Sequence, residues 1–256
     1  MGACAACSPS SNPHAQSPER QSEAEYDLAV DYFHKGNVRV ALDHANKAIE
    51  LDDQNAKALY FTATIYGYFC TGLEGLASPD CKLGEAEKLA RRAVEVDGQF
   101  RDAKNLLGQI LILANKPKEA VEVLKPLVDD PSYSSSYLAW GNLGWAQVQA
   151  GDLDAGIASL RNSITEPRFC VGHYRLGVAF EKKGELAQAE ASLSAALGVD
   201  SADCRNLQDA WFARGRVRKK LGKTDEATAD LAKCREISPS SRTGRECAKM
   251  LAPSRP

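Results

Sequence analysis

No run of about eighteen apolar residues occurs in this 256-residue chain, so no segment of it can span a bilayer as a helix. An excess of charge is also lacking. Lys and Arg number 32, Asp and Glu 34, and the net charge is −2. A nucleic-acid partner therefore has little general electrostatic support. Histidine is scarce: His14, His34, His44 and His173 are all there is, and no Ser/His/Asp or Cys/His order sets one beside a nucleophile. No glycine-rich phosphate loop occurs. Apart from Cys4 and Cys7, no cysteines have CxxC spacing, and no histidine cluster accompanies that pair, which argues against zinc. These absences leave no readable enzyme, cofactor or metal site.

What is present is a folded composition, 44% hydrophobic and 26% charged, and an internal repeat. Between His173 and Ser201, Leu176, Gly177 and Phe180 pattern one helix. Gly184 breaks it, residues 185–188 turn, and Ala189, Leu193 and Ala196 recur on one face of a second helix. Small residues at Gly177, Ala189 and Ala196 let the two helices approach, and Leu176, Phe180 and Leu193 fill the space between. This unit resembles a tetratricopeptide repeat (TPR), whose period is about 34 residues.

Stepping by that period gives six units, at about 22–55, 56–100, 101–134, 137–169, 170–203 and 208–241, with 242–252 as a capping helix. The second unit is too long. Its excess, CTGLEGLASPDC, lies between its helices and is bracketed by Cys70 and Cys81. The pattern predicts an all-α, right-handed superhelical solenoid over 22–252, in which stacked neighbours bury the apolar face each pair leaves open.

Residues 1–21 carry no such pattern. Met1-Gly2-Ala3-Cys4 resembles the end of a bacterial lipobox, with Cys4 as the lipidated residue. The positive region and apolar segment of a signal peptide are absent, which leads to the expectation that the chain starts inside the signal. Cys7 fits less well, because Cys4 would then fill the apolar position. A disordered end and acylation of Gly2 are the competing readings. The acylation pattern wants Ser or Thr where Ala6 stands. Residues 8–20, rich in Ser, Pro, Asn and Gln, read as a solvated tether. A coil of about 17 residues reaches roughly 20–25 Å.

The remaining cysteines pair by their place in the register. Cys70 with Cys81 closes the insertion. Cys170 and Cys204 stand one period apart. Cys234 lies in the last second helix and Cys247 in the cap that should cover it. Bonded, they imply an oxidising compartment, and buried free thiols are the alternative.

First helices of such a stack line its concave groove. Projected from the register, the protein-binding wall is Tyr26, Val30 and Phe33, then Tyr60, Thr64 and Tyr68, then Asn105, Gln109 and Leu113, then Trp145 and Val148. Tyr174, Val178, Phe212, Arg216 and Lys220 continue it, and the basic group of Arg216, Lys219 and Lys220 reads as a solvated face. The aromatic N-terminal half favours an apolar peptide or an amphipathic helix. Tyr26 and Val30 stand where chaperone-tail adaptors carry Lys and Asn, which argues against that use.

Residues 129–146, DDPSYSSSYLAWGNLGWA, are more specific than a generic repeat. Through Asp130, Pro131, Tyr133, Asn142, Leu143 and Gly144 they resemble the junction of type IV pilus pilotins, the PilF/PilW/Tgl lipoproteins, with the cysteine-rich Tgl branch most similar. The resemblance implies a monomeric lipoprotein on the periplasmic face of the outer membrane. It would help secretin subunits insert and assemble into the pilus pore, and so serve pilus-dependent motility. The cysteines and the 70–81 insertion depart from the plainer members. The periodicity without the junction supports a generic periplasmic TPR scaffold, for example for cell-wall enzymes.

Overall fold

The structure, a computed structural model, describes residues 17–71 and 75–252, and among these it contains helices and turns but no strand. Repeat 1 is α1 (Pro18–His34) and α2 (Val38–Leu51), and repeat 2 is α3 (Ala56–Thr71) and α4 (Leu83–Val96). Repeat 3 is α5 (Arg101–Leu113) and α6 (Pro117–Val128), and repeat 4 is α7 (Ser136–Ala150) and α8 (Leu153–Ser163). Repeat 5 is α9 (Cys170–Lys183) and α10 (Leu186–Gly198). A single turn, α11 (Ala202–Arg205), precedes repeat 6, which is α12 (Gln208–Lys220) and α13 (Thr224–Ile237). The last helix, α14 (Arg242–Leu251), packs on α13 and α12.

Each helix packs on its partner, and the first helices also pack side by side: α1 on α3, α3 on α5, α5 on α7, α7 on α9 and α9 on α12. They form a continuous inner wall, with the second helices outside it. Small residues set the spacing. A Cβ placed on Gly177 would come within 2.5 Å of Leu193 Cγ and 3.1 Å of the Ala189 carbonyl oxygen, so α9 and α10 meet closer than a side chain at this position allows. The turn between them is closed by Gly184 in the left-handed region, φ 86°. In repeat 3 the same job falls to Asn115, φ 58°, the non-glycine residue type that best tolerates it.

Two boundaries differ from the periodic reading. Helix α1 starts at Pro18, inside the stretch read as tether. Ser17 caps it by accepting from the Arg20 amide, and Pro18 is pre-set for a first helical turn. Residues 18–21 carry little apolar periodicity, so the cap was the only available signal. The second difference is α11, an extra turn that carries Cys204 across the gap left between the fifth and sixth units. Cys4 and Cys7 lie outside the described residues, as do 72–74 of the insertion.

Disulfides join Cys70 to Cys81, Cys170 to Cys204 and Cys234 to Cys247, with Cα–Cα distances of 4.5, 5.8 and 6.2 Å. The first closes the insertion, which makes a 3-10 turn at Gly75–Ala77 and meets α2 through an exposed Arg39–Asp80 ion pair at 2.7 Å. The second ties the start of α9 to the turn before α12. The third fixes the capping helix to α13.

The 129–146 junction is built as a brace. Arg101 Nε at the head of α5 donates to Asp130 Oδ2 at 2.6 Å, and the Ser132 hydroxyl and amide donate to Asp130 Oδ1 at 2.6 and 2.9 Å. The buried Tyr133 ring sends its hydroxyl to Asp102 Oδ1 at 3.0 Å. The Ser132 hydroxyl, then Arg101 and the Ser132 amide, hold the Asp130 carboxyl down to about 2 from an ordinary 3.8. The stabilisation from this lowering is fully present above about pH 4 and is lost as pH falls through about 2. Asp130→Asn should therefore melt lower than the parent at pH 7. Melting curves taken down the pH scale should show that gap closing between about pH 4 and 2. A gap that stays constant down to pH 2 would mean the carboxylate charge contributes nothing.

Candidate protein-binding groove

The inner wall of repeats 1 and 2 is aromatic because two helices present rings at matched spacing. Helix α1 offers Tyr26, Val30 and Phe33. Helix α3 offers Phe61, Ile65 and Tyr68 at the same i, i+4, i+7 intervals. The rings interleave edge to face: Tyr26 on Phe61 at 5.8 Å, Phe61 on Phe33 at 5.5 Å, and Phe33 on Tyr68 at 5.7 Å between centroids. Ile65 is fully buried beneath them. Tyr26, Val30, Phe33 and Phe61 are half-buried, and Tyr68 keeps 53% of its surface exposed. Burial is enough to push the Tyr26 phenol above its ordinary range. The result is a hydrophobic strip with one open edge, which is what an apolar helix face requires.

The other projected residues divide. Gln109, Leu113 and Trp145 are half-buried; Trp145 packs against the core on both sides of α7, and the Lys182 ammonium lies 5.8 Å from its ring centroid. Thr64 is half-buried and spends its hydroxyl on the Tyr60 carbonyl at 2.9 Å. Tyr60 belongs with the packing between α3 and α5. Its ring lies 4.9 Å from Phe100, and burial raises its phenol.

Asn105 corrects the projection. It is only 6% exposed and accepts from Asn142 Nδ2 at 2.9 Å, so it joins α5 to α7 instead of lining the surface. Val148 and Val178 are also buried in core. Tyr174 packs beside Cys170, Cys204 and Trp211, and its burial raises its phenol to about 12.

The basic group of repeat 6 is corrected too. Arg216 reaches Glu181 through Nε at 2.8 Å and Nη2 at 2.5 Å, and Lys220 Nζ reaches the same carboxylate at 2.7 Å. Glu181 is buried. Its two cations hold its carboxyl below the ordinary range although desolvation, the largest influence, pushes the other way. These residues clamp α9 to α12, and Lys219 alone of the three is left as solvated face.

Sequence projection missed Phe61, the ring at the centre of the aromatic strip. A signal existed: its offset from Tyr68 repeats the offset of Tyr26 from Phe33. It also missed Arg175 of α9, whose Nη1 donates to Asn142 Oδ1 at 2.8 Å.

The tetratricopeptide-repeat profile matches residues 172–203 and 208–241. Among solved structures, the chain is similar to PilW, a widely conserved type IV pilus biogenesis factor, at 21% identity and TM-score 0.72, over 89% of this chain and 98% of that one. It is similar to PilF of Pseudomonas aeruginosa at 17% identity and TM-score 0.67, over 92% and 100%. It is equally similar in shape to a chain of the APC/C hetero-tetramer Cut9–Hcn1, at 15% identity and TM-score 0.73, but covers 43% of that chain. The chain is a TPR solenoid. A curated relative, protein O-mannosyl-transferase Tmtc3 of Drosophila melanogaster, is 29% identical over 157 residues, which are 60% of this chain and 16% of that protein. The TPR fold generally serves as a protein-interaction scaffold. The groove geometry fits that use.

Proposed function

We propose that this protein is an outer-membrane lipoprotein pilotin. It binds secretin subunits of the type IV pilus pore from the periplasmic face and promotes their insertion and multimer assembly, and thereby pilus-dependent motility. The observation that carries the binding step is the aromatic strip of Tyr26, Phe61, Phe33 and Tyr68, with Tyr68 open at one edge, the kind of surface an apolar helix face docks on. Two further points support the choice of partner. The solenoid matches PilW and PilF nearly end to end, whereas it covers less than half of the Cut9–Hcn1 chain. The Asp-Pro-x-Tyr and Asn-Leu-Gly junction resembles that of pilotins and is used here as a brace between repeats. The disulfides suit an oxidising compartment such as the periplasm. Lipidation at Cys4 would hold the solenoid at the membrane through the short tether.

The direct test is the yield of heat-resistant secretin multimer on an unheated gel, with and without this protein, together with pull-down of the secretin. Multimer that depends on the protein is expected. Multimer that forms equally well without it, with no secretin captured, would leave a general periplasmic scaffold as the reading. The anchor has its own test. In the full-length precursor, Cys4→Ser should move the protein from the outer-membrane fraction to the soluble periplasmic one. Retention of the variant in membranes through hydrophobic attachment would overturn lipidation at Cys4.

A further inference from the structure

The arginines built into the packing of this solenoid have carboxylates of their own, with one exception. Arg101 has Asp130, Arg214 and Arg218 share Asp230, and Arg216 has Glu181. Arg175 has an amide. Its Nη1 donates to Asn142 Oδ1 at 2.8 Å, and among the described residues no carboxylate comes within 4.0 Å of it. Asn142 in turn donates to Asn105 Oδ1, so a polar rail runs from α5 through α7 to α9. Both asparagines are buried, so the rail is fixed in place.

An amide oxygen orients a guanidinium but does not neutralise it. Desolvation pushes Arg175 down to about 10, still protonated at neutral pH, and the charge is left without a counter-ion. A half-buried guanidinium in that state gains from a carboxylate that reaches it. Arg175 is half-buried on α9, a helix of the inner wall, and among the described residues no side-chain nitrogen is both buried and without a partner, so its remaining donors are open to solvent. The wall also continues past Arg175 in both directions, toward α12 and toward α5. A segment lying in the groove therefore passes over Arg175 and does not end there, so the matching anion is a side chain and not a chain terminus.

We infer that Arg175, aimed by Asn142 and Asn105, anchors an Asp or Glu side chain of the partner segment that lies along the concave wall. This rests on the reading that the wall docks a secretin segment, and adds a polar specificity point to the aromatic strip at repeats 1 and 2. The fork of the guanidinium accepts a carboxylate in two parallel hydrogen bonds while one Nη stays on the rail.

The test uses the whole protein and its Arg175→Met variant. The probes are three alanine-based nonapeptides. Two are blocked at both ends and differ only in a central glutamate or glutamine. The third has central glutamine and a free C-terminal carboxylate. The side-chain amide signals of Asn105 and Asn142 are followed by NMR during titration. The blocked glutamate peptide should shift them saturably in the parent, with a dissociation constant on the order of millimolar, and leave Arg175→Met unmoved. Secretin should bind Arg175→Met roughly tenfold more weakly or worse, the range of a lost charge-assisted hydrogen bond. The variant should melt somewhat lower than the parent, because the buried Asn142 Oδ1 loses its donor, and helical circular dichroism at the titration temperature checks that it is folded.

Equal shifts from the blocked glutamine peptide would overturn the carboxylate site. A stronger response to the free terminus would overturn the side-chain assignment. A folded variant that melts lower but still responds to the glutamate peptide as the parent does would make Arg175 a structural link only. If the glutamate peptide titrates but secretin binds neither protein, the partner reading falls and the Arg175 site stands. If secretin binds both proteins alike, the Arg175 site falls and the pilotin reading stands.

Discussion

Phe33→Ala combined with Tyr68→Ala should weaken secretin binding by about 2 kcal/mol or more, roughly thirtyfold, and lower the yield of assembled pore. The two rings are the open end of the aromatic strip. Their centroids are 5.7 Å apart, and Tyr68 is more than half exposed. Removing Tyr68 therefore takes away contact surface with little core. Phe33 is half-buried against Phe61, so its loss has a modest stability component. Tyr60→Ala is the control for that component. Its ring packs on Phe100 between α3 and α5, so its removal should cost stability more than binding. The measurement is affinity for the secretin, beside helical circular dichroism and melting temperature for every variant. A folded double variant that binds and assembles secretin like the parent would move the binding site off this wall.

That choice of residues shows where the sequence was informative. The helices, most of the glycine turns and the Cys170–Cys204 pair follow from one period, because each repeat must bury the same small and apolar positions against its neighbours. Gly177 facing Leu193 illustrates this, since both the identity and the spacing are forced by the contact. The groove was less legible. Register gives the direction of a Cα but not what the next repeat places beside it. Tyr60 and Asn105 both point along the wall, yet Phe100 covers one and Asn142 bonds the other. Glu181 finds its cations only when α12 brings Arg216 and Lys220 to it from the next repeat. Such pairings depend on contacts between residues more than thirty positions apart, which no local pattern encodes.

Of the three disulfides, Cys170–Cys204 should matter most to stability. It closes 34 residues, against 11 for Cys70–Cys81 and 13 for Cys234–Cys247. Loop-closure entropy then assigns it about 3.8 kcal/mol, compared with about 2.8 and 2.9 for the others, with any strain in the bond subtracting from each. Its position adds to the effect. A solenoid is held by the contacts between adjacent repeats, and this bond joins the start of repeat 5 to the turn that leads into repeat 6, beside Trp211 and Tyr174. Cys70–Cys81 constrains only an insertion between the helices of one repeat. Cys170→Ala with Cys204→Ala should therefore lose about 2–4 kcal/mol in denaturant unfolding. The loss should fall in a separate early transition of the C-terminal repeats, because the coupling across that interface is weakened. Cys70→Ala with Cys81→Ala should lose less and leave the unfolding curve of repeats 5 and 6 unchanged. Equal losses for the two pairs would mean that the interface between repeats 5 and 6 is held by its packing and ion pairs alone.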